Sequence, residues 1–269
     1  MEKKVVLITG GSSGIGKTTG AYLASKGMKV YGTTRNLGTH TSFPDFTLLE
    51  LDVNKAETIE KAVAHIIAEQ GRLDVLINNA GVGITGPIEE TPIDEINKAF
   101  NTNLNGPIRM IQAVLPQMRE QGSGLIINIT YIAGYMGLPF RGIYSATKGS
   151  LELVTEALRM ETKSFGIELV NLAPGDFATN IASGRYHAPV LDDSPYRAYG
   201  KTLKNINDDV DAAQDPILVA EKIFAIIYRR NPKGHFLVGT FMQRLSVFFK
   251  RILPAKTFEK LLLNHYKLS

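Results

Sequence analysis

Apolar positions along this chain fall into two rhythms. Short unbroken runs, such as Val5-Val6-Leu7-Ile8, alternate with longer stretches in which apolar residues recur every three or four positions. The runs predict strands over residues 4–9, 28–34, 46–51, 73–78, 124–130, 167–173 and 235–238. The periodic stretches predict helices over 16–26, 54–70, 92–103, 107–120, 145–165 and 215–230. Gly27 ends the first helix, and Asn54 is placed to cap the second. Strand–helix alternation implies right-handed crossovers. The expected fold is therefore α/β: a doubly wound (Rossmann) parallel sheet of about seven strands with helices on both faces. Ligands bind such sheets beyond the carboxyl ends of the strands, so the residues just after each strand carry the chemistry.

The pattern weakens toward the end of the chain. Residues 180–215 have little periodicity and mix Pro189 and Pro195 with Tyr186, Tyr196 and Tyr199. A loop this long reads as a substrate lid. Residues 1–240, lid included, read as one dinucleotide-binding domain, and the 269-residue length suits that. Residues 241–269 read as a C-terminal amphipathic helical extension, with Met242, Leu245, Phe248, Phe249 and Ile252 at helical spacing and Arg244, Lys250 and Arg251 among them. Such a segment can pack on its own domain, cover the cleft, join subunits or lie on a membrane surface.

Composition narrows the chemistry. Apolar residues make up 44% and charged residues 21%, enough for an ordinary core. The net charge of +4 does not argue for nucleic acid. With no cysteine, disulfides, thiolate catalysis and cysteine metal sites are excluded. The histidines at 40, 65, 187, 235 and 265 lack metal-ligand spacing. The first apolar run is too short for a signal peptide or a membrane span, so a cytoplasmic protein is expected.

Between the first strand and first helix lies Thr9-Gly10-Gly11-Ser12-Ser13-Gly14-Ile15-Gly16-Lys17-Thr18. Glycines here permit a tight turn and close approach to phosphate, and the helix N-terminus offers free N–H groups. Gly11 to Thr18 fits the P-loop spacing, while Gly10, Gly14 and Gly16 fit a dinucleotide loop. A P-loop enzyme also needs a strand ending in Asp to organise magnesium. The fourth, fifth and sixth strands end in Asn78-Asn79, Thr130-Tyr131 and Pro174-Gly175 instead. Context favours the dinucleotide reading and leaves nucleotide hydrolysis third.

Tyr144 and Lys148 stand four apart at the start of a helix, on one face. A free tyrosine, with a pKa near 10, is a poor acid–base at neutral pH. A nearby ammonium favours the phenolate, which makes proton exchange with a carbonyl or alcohol oxygen feasible. The spacing alone is weak, because Tyr22 and Lys26 repeat it within the first helix, where a surface pair is expected.

In order along the chain stand Thr9-Gly10-x-x-x-Gly14-x-Gly16, Leu51-Asp52-Val53, Asn78-Asn79-Ala80-Gly81, Asn103, Tyr144-x-x-x-Lys148 and Pro174-Gly175-x-x-x-Thr179. Over residues 4 to 240 the chain resembles a short-chain dehydrogenase/reductase. The resemblance implies that Tyr144 is the general acid/base and that Lys148 lowers its pKa and binds the nicotinamide ribose. Asn103 would hold a water in a proton relay. Asp52 and Val53 would lie against the adenine, and Asn79, Ala80 and Gly81 would line the cofactor groove. Gly10, Ser12, Ser13, Gly14, Ile15 and Gly16 would hold the phosphates, Pro174 and Gly175 would border the cofactor, and Thr179 would meet its carboxamide. A small carbonyl or alcohol substrate and a homodimer or homotetramer are also implied.

One position departs from the family pattern. Thirteen residues before Tyr144, where the family carries a catalytic serine, stands Tyr131. Its hydroxyl can serve the substrate oxygen only if the longer side chain swings aside. The Thr130 side chain should point the other way on an extended strand. Three readings follow: another donor, a weakened or non-catalytic dinucleotide-binding protein, or an engineered replacement. Loss of one such donor costs about 10²–10³ in rate.

Cofactor choice should be set after the second strand. Tyr31-Gly32-Thr33-Thr34-Arg35-Asn36 offers no acid for a ribose hydroxyl. Arg35 suits a 2′-phosphate, with Thr34 or Ser13 as hydroxyl partners, so NADP(H) is expected over NAD(H).

Overall fold

The computed structural model describes residues 3–40, 43–177, 184–211 and 214–268. Its elements run β1 (Val5–Ile8), α1 (Gly14–Ser25), β2 (Lys29–Thr34), β3 (Thr47–Glu50), α2 (Ala56–Gln70), β4 (Val75–Asn78) and β5 (Ile84–Thr85). They continue with α3 (Ile93–Phe100), α4 (Gly106–Glu120), β6 (Gly124–Ile129), α5 (Gly142–Glu161), β7 (Ile167–Pro174), β8 (Tyr186–His187) and α6 (Tyr199–Asp211). The chain closes with α7 (Ile217–Ile227), β9 (His235–Val238), α8 (Phe241–Ile252) and α9 (Ala255–Tyr266).

The seven expected strands form one parallel sheet in the order β3-β2-β1-β4-β6-β7-β9. Alternate side chains of β1 feed two cores. Val5 and Leu7 join the cluster that includes Ile59, Ile66, Met110 and Val114 from α2 and α4. Val6 and Ile8 join the cluster with Leu23 of α1 and Val219 and Ile223 of α7. This two-sided burial is why the strands read as unbroken apolar runs. Strand order reverses between β1 and β4, and there the Thr9 N–H bonds the Ile77 carbonyl at 3.0 Å. That switch point is where a groove opens.

Three local expectations need correction. Asn54 does not cap α2; Lys55 takes the cap position without a side-chain bond, and the Asn54 amide reaches Thr102 Oγ1 at 3.1 Å. The fifth helix starts at Gly142 rather than residue 145, so Tyr144 lies in its first turn. The helices expected over 92–103 and 107–120 are joined through a π-helical turn, Asn101–Asn105, which carries Asn103. Such turns insert one extra residue and re-aim side chains.

The expected lid holds more structure than its pattern showed. β8 pairs with β5, Ile84 against Tyr186 and Thr85 against His187. In α6 the buried Tyr199, Thr202 and Ile206 recur at helical spacing, but two of the three are not aliphatic, which hid the period. The extension packs on its own domain: Val247 and Phe258 are buried with Ile132 and Met136. No described helix is long and apolar enough to cross a membrane.

Candidate active site

The groove is built largely by backbone. Gly10 and Gly14 have φ of +65° and +49°, conformations that side-chain-bearing residues rarely adopt. At Gly16 a Cβ would lie 2.2 Å from the Gly10 carbonyl oxygen, so this position has no room for one. Thr33 Oγ1 accepts from the Gly10 N–H at 3.1 Å. Asn79 braces the loop by donating its amide to the carbonyls of Thr9 and Gly10, at 3.0 and 3.1 Å. The groove above this loop has a volume of about 600 Å³. Gly10, Ser12, Ser13, Gly14, Ile15, Arg35, Asp52, Val53, Asn79, Ala80 and Gly81 all line it. Gly16 lies beneath, inside the turn. Arg35 is exposed at the end of β2. Lys17, which a P-loop would turn onto phosphate, lies over the Phe43 ring at 5.4 Å.

A smaller cleft of about 90 Å³ adjoins the groove, and Ile15, Asn79 and Gly81 belong to both. Tyr144, Lys148, Tyr131, Pro174 and Gly175 line it. Helical spacing brings Tyr144 and Lys148 side by side, with the ammonium 6.0 Å from the phenol ring centroid. Lys148 Nζ donates to the Ile129 carbonyl at 3.0 Å. Burial lowers its pKa to about 8, and Glu152 one turn further on pulls it upward. Asn103, fully buried, accepts from the Val82 N–H and donates to the Val82 carbonyl, both at 2.8 Å. It therefore fixes the loop after β4 against α5, where Thr147 Oγ1 lies 3.2 Å from its amide.

A lowered Tyr144 pKa is not what this geometry produces. Burial pushes the phenol up; Arg141 and then Arg185 pull it down. The second tyrosine–lysine copy is only half at the surface: Lys26 is exposed and lies over the Tyr22 ring at 5.0 Å, while Tyr22 is half-buried against the Phe224 ring at 5.9 Å.

Tyr131 is held in the cleft by a network that sequence spacing did not reveal. Its hydroxyl donates to Asp176 Oδ1 and accepts from Arg141 Nη2 at 3.1 Å. Asp176 Oδ2 accepts from Gln243 Nε2 at 3.0 Å, which ties the first turn of α8 to the cleft. The Tyr131 and Tyr144 rings meet edge to face at 5.5 Å. The one phenolic proton of Tyr131 thus points at Asp176. The Thr130 hydroxyl is turned away, as expected, and donates to Glu152 Oε1 at 2.5 Å. Arg141, Asp176, Arg185 and Gln243 follow no motif; only their position after strands or in the lid could have flagged them. Thr179 lies outside the described residues. Among those residues no cluster fit for a metal ion occurs.

Known proteins are similar to this chain in sequence and fold. The model of the short chain dehydrogenase family matches residues 4–189. A 3-ketodihydrosphingosine reductase of Bacteroides thetaiotaomicron is 38% identical over 256 residues, covering 94% of each chain. The crystal structure of a short-chain dehydrogenase from Streptomyces avermitilis superposes with a TM-score of 0.83 at 29% identity, covering 99% of this chain and 97% of that one. The structure of ElxO with NADP bound gives 0.72 at 27% identity, covering 88% and 96%. With its seven-stranded parallel sheet, glycine groove and adjoining Tyr144–Lys148 cleft, the chain belongs to the short-chain dehydrogenase/reductase family of oxidoreductases.

Proposed function

We propose that this protein is an NADP(H)-dependent oxidoreductase that interconverts a secondary alcohol and a ketone, or an aldehyde in the ketone's place. The observation that carries this reading is the buried Tyr144–Lys148 pair at the end of a groove whose loop excludes side chains. Gly10 and Gly14 with positive φ, and Gly16 with no room for a Cβ, suit a backbone cradle for a pyrophosphate. The cofactor, when bound, supplies or accepts the hydride. Tyr144 gives its proton to the substrate oxygen in reduction and takes it back in oxidation. Arg141 and Arg185 favour the phenolate when that proton leaves. Lys148 sets a positive charge beneath the same site, and Asn103 holds the loop that closes the groove.

Arg35 is the support for NADP(H): it is a groove-lining guanidinium at the end of β2, and no carboxylate stands between Tyr31 and Asn36. NADPH should bind more tightly than NADH in a fluorescence titration; the reverse order ends this part of the proposal. Self-association as a dimer or tetramer fits the exposed Leu153 and Met160 on the outer face of α5.

The principal test is NADPH turnover with a panel of aldehydes, ketones and oxo or hydroxylated lipids, 3-ketodihydrosphingosine among them because a relative bears that name. Tight cofactor binding without turnover across the panel would favour the second reading, an impaired or non-catalytic dinucleotide-binding protein. That reading has its own support: the Tyr131 proton is engaged by Asp176, and Tyr131 lines the cleft. Under it, Tyr131→Ser restores about 10²–10³ in rate. No gain with any accepted substrate rejects it.

A further inference from the structure

The C-terminal helices present a second surface that the reaction does not use. On α8 the spacing of Phe241, Leu245, Phe248 and Ile252 sets them in one row. Phe241, Phe248 and Ile252 are 67, 55 and 56% exposed, and Met242 beside them 66%. The opposite face of the helix is the one that packs, through Val247 against Ile132 and Met136. The outer row is thus left over after the extension has docked on its own domain. An exposed apolar row of this size on a helix is a docking face rather than scatter.

Charge identifies what would cover it. Between Phe241 and Leu268 stand Arg244, Lys250, Arg251, Lys256, Lys260 and Lys267 against the single acid Glu259. That excess is larger than the +4 of the entire chain, so the rest of the protein is close to neutral. All six cations are exposed. A second copy of this chain set face to face would bring like charges together. An anionic bilayer meets both halves of the pattern: headgroups for the cations, and the acyl boundary for the apolar row.

We infer that α8 and α9 form a seat for an anionic membrane surface, with α8 lying in the interface plane. The seat adjoins the catalytic cleft, because Gln243 in the first turn of α8 bonds Asp176. The inference does not depend on the reaction, since partition requires no turnover.

The test is co-sedimentation of the full chain with vesicles of phosphatidylcholine alone and of phosphatidylcholine mixed with phosphatidylglycerol, at low and high salt. The expected result is partition onto the mixed vesicles, reversed by salt. Lys256→Gln with Lys260→Gln should weaken it about tenfold or more. Phe248→Ser with Ile252→Ser should weaken it at least as much, with a thermal melt confirming that the fold is kept. No partition, or equal partition onto both vesicle types, overturns the inference. So does a change from a larger to a smaller species when the two apolar residues are replaced, because the face would then be covered by a second copy.

Discussion

The groove proposed for the cofactor and the cleft proposed for catalysis share Asn79 and Gly81, yet they are made of different materials. The floor of the groove is a backbone loop: two glycines at positive φ, a third with no room for a Cβ, and bracing by Thr33 and Asn79. The cleft is made of side chains from four separate segments, Tyr131, Arg141, Asp176 and Gln243, some bonded across 45 and 67 positions of sequence. A backbone site dictates residue type at fixed spacing, because sterics admit only glycine. A side-chain network dictates only that partners match, so a residue such as Tyr131 can enter it and be satisfied. The groove should therefore govern affinity for the cofactor and the cleft the rate of the chemistry.

The sharpest way to break that division is Tyr144→Phe. The ring stays, the proton donor goes, and kcat should fall by about 10²–10⁴. The NADPH dissociation constant should stay nearly unchanged in a fluorescence titration. If affinity falls in step with kcat, the two regions are not separable and Tyr144 is holding the groove together.

Gly16→Ala probes the other side with a smaller effect. The added methyl would sit 2.2 Å from the Gly10 carbonyl oxygen, so the loop must shift. Overpacking of this kind costs about 1–3 kcal/mol. NADPH should bind roughly tenfold to a hundredfold more weakly. The kcat at saturating cofactor should be kept. A variant that binds NADPH normally would show that the turn has room the structure does not reveal.

The same division explains what was legible in the sequence. The seven main strands and their parallel direction follow from apolar runs separated by helical periods, because both faces of the sheet are covered; the order of the strands comes from the structure. The glycine loop and the Asn79 segment follow from steric need. Asn54 misled as a cap because its side chain found Thr102, far along the chain, and local capping rules cannot anticipate that. β5 and β8 are two residues each and carry no period. Arg141, Asp176 and Gln243 were invisible because each is an ordinary polar residue until folding places it beside Tyr131. The direction of the Tyr144 shift was missed for the same reason: burial, which no spacing reports, outweighs the nearby cations.

The mildest test asks whether the cleft is tuned from behind. Glu152 lies one helical turn beyond Lys148 and is itself buried, holding Thr130 Oγ1 at 2.5 Å and His235 Nδ1 at 2.9 Å. Its charge raises the Lys148 pKa while burial lowers it to about 8. The folded value lies below the ordinary lysine value near 10.4. The ammonium is therefore present below about pH 8 and lost as pH rises through it. If the charged form serves the reaction, kcat/KM declines above about pH 8. Glu152→Gln keeps the shape and removes the negative charge, so this alkaline limb should move to lower pH, with a modest loss of rate at neutrality. A lower rate with the limb unmoved would make Glu152 a packing residue only, and the cleft would then owe its proton chemistry to the residues that line it.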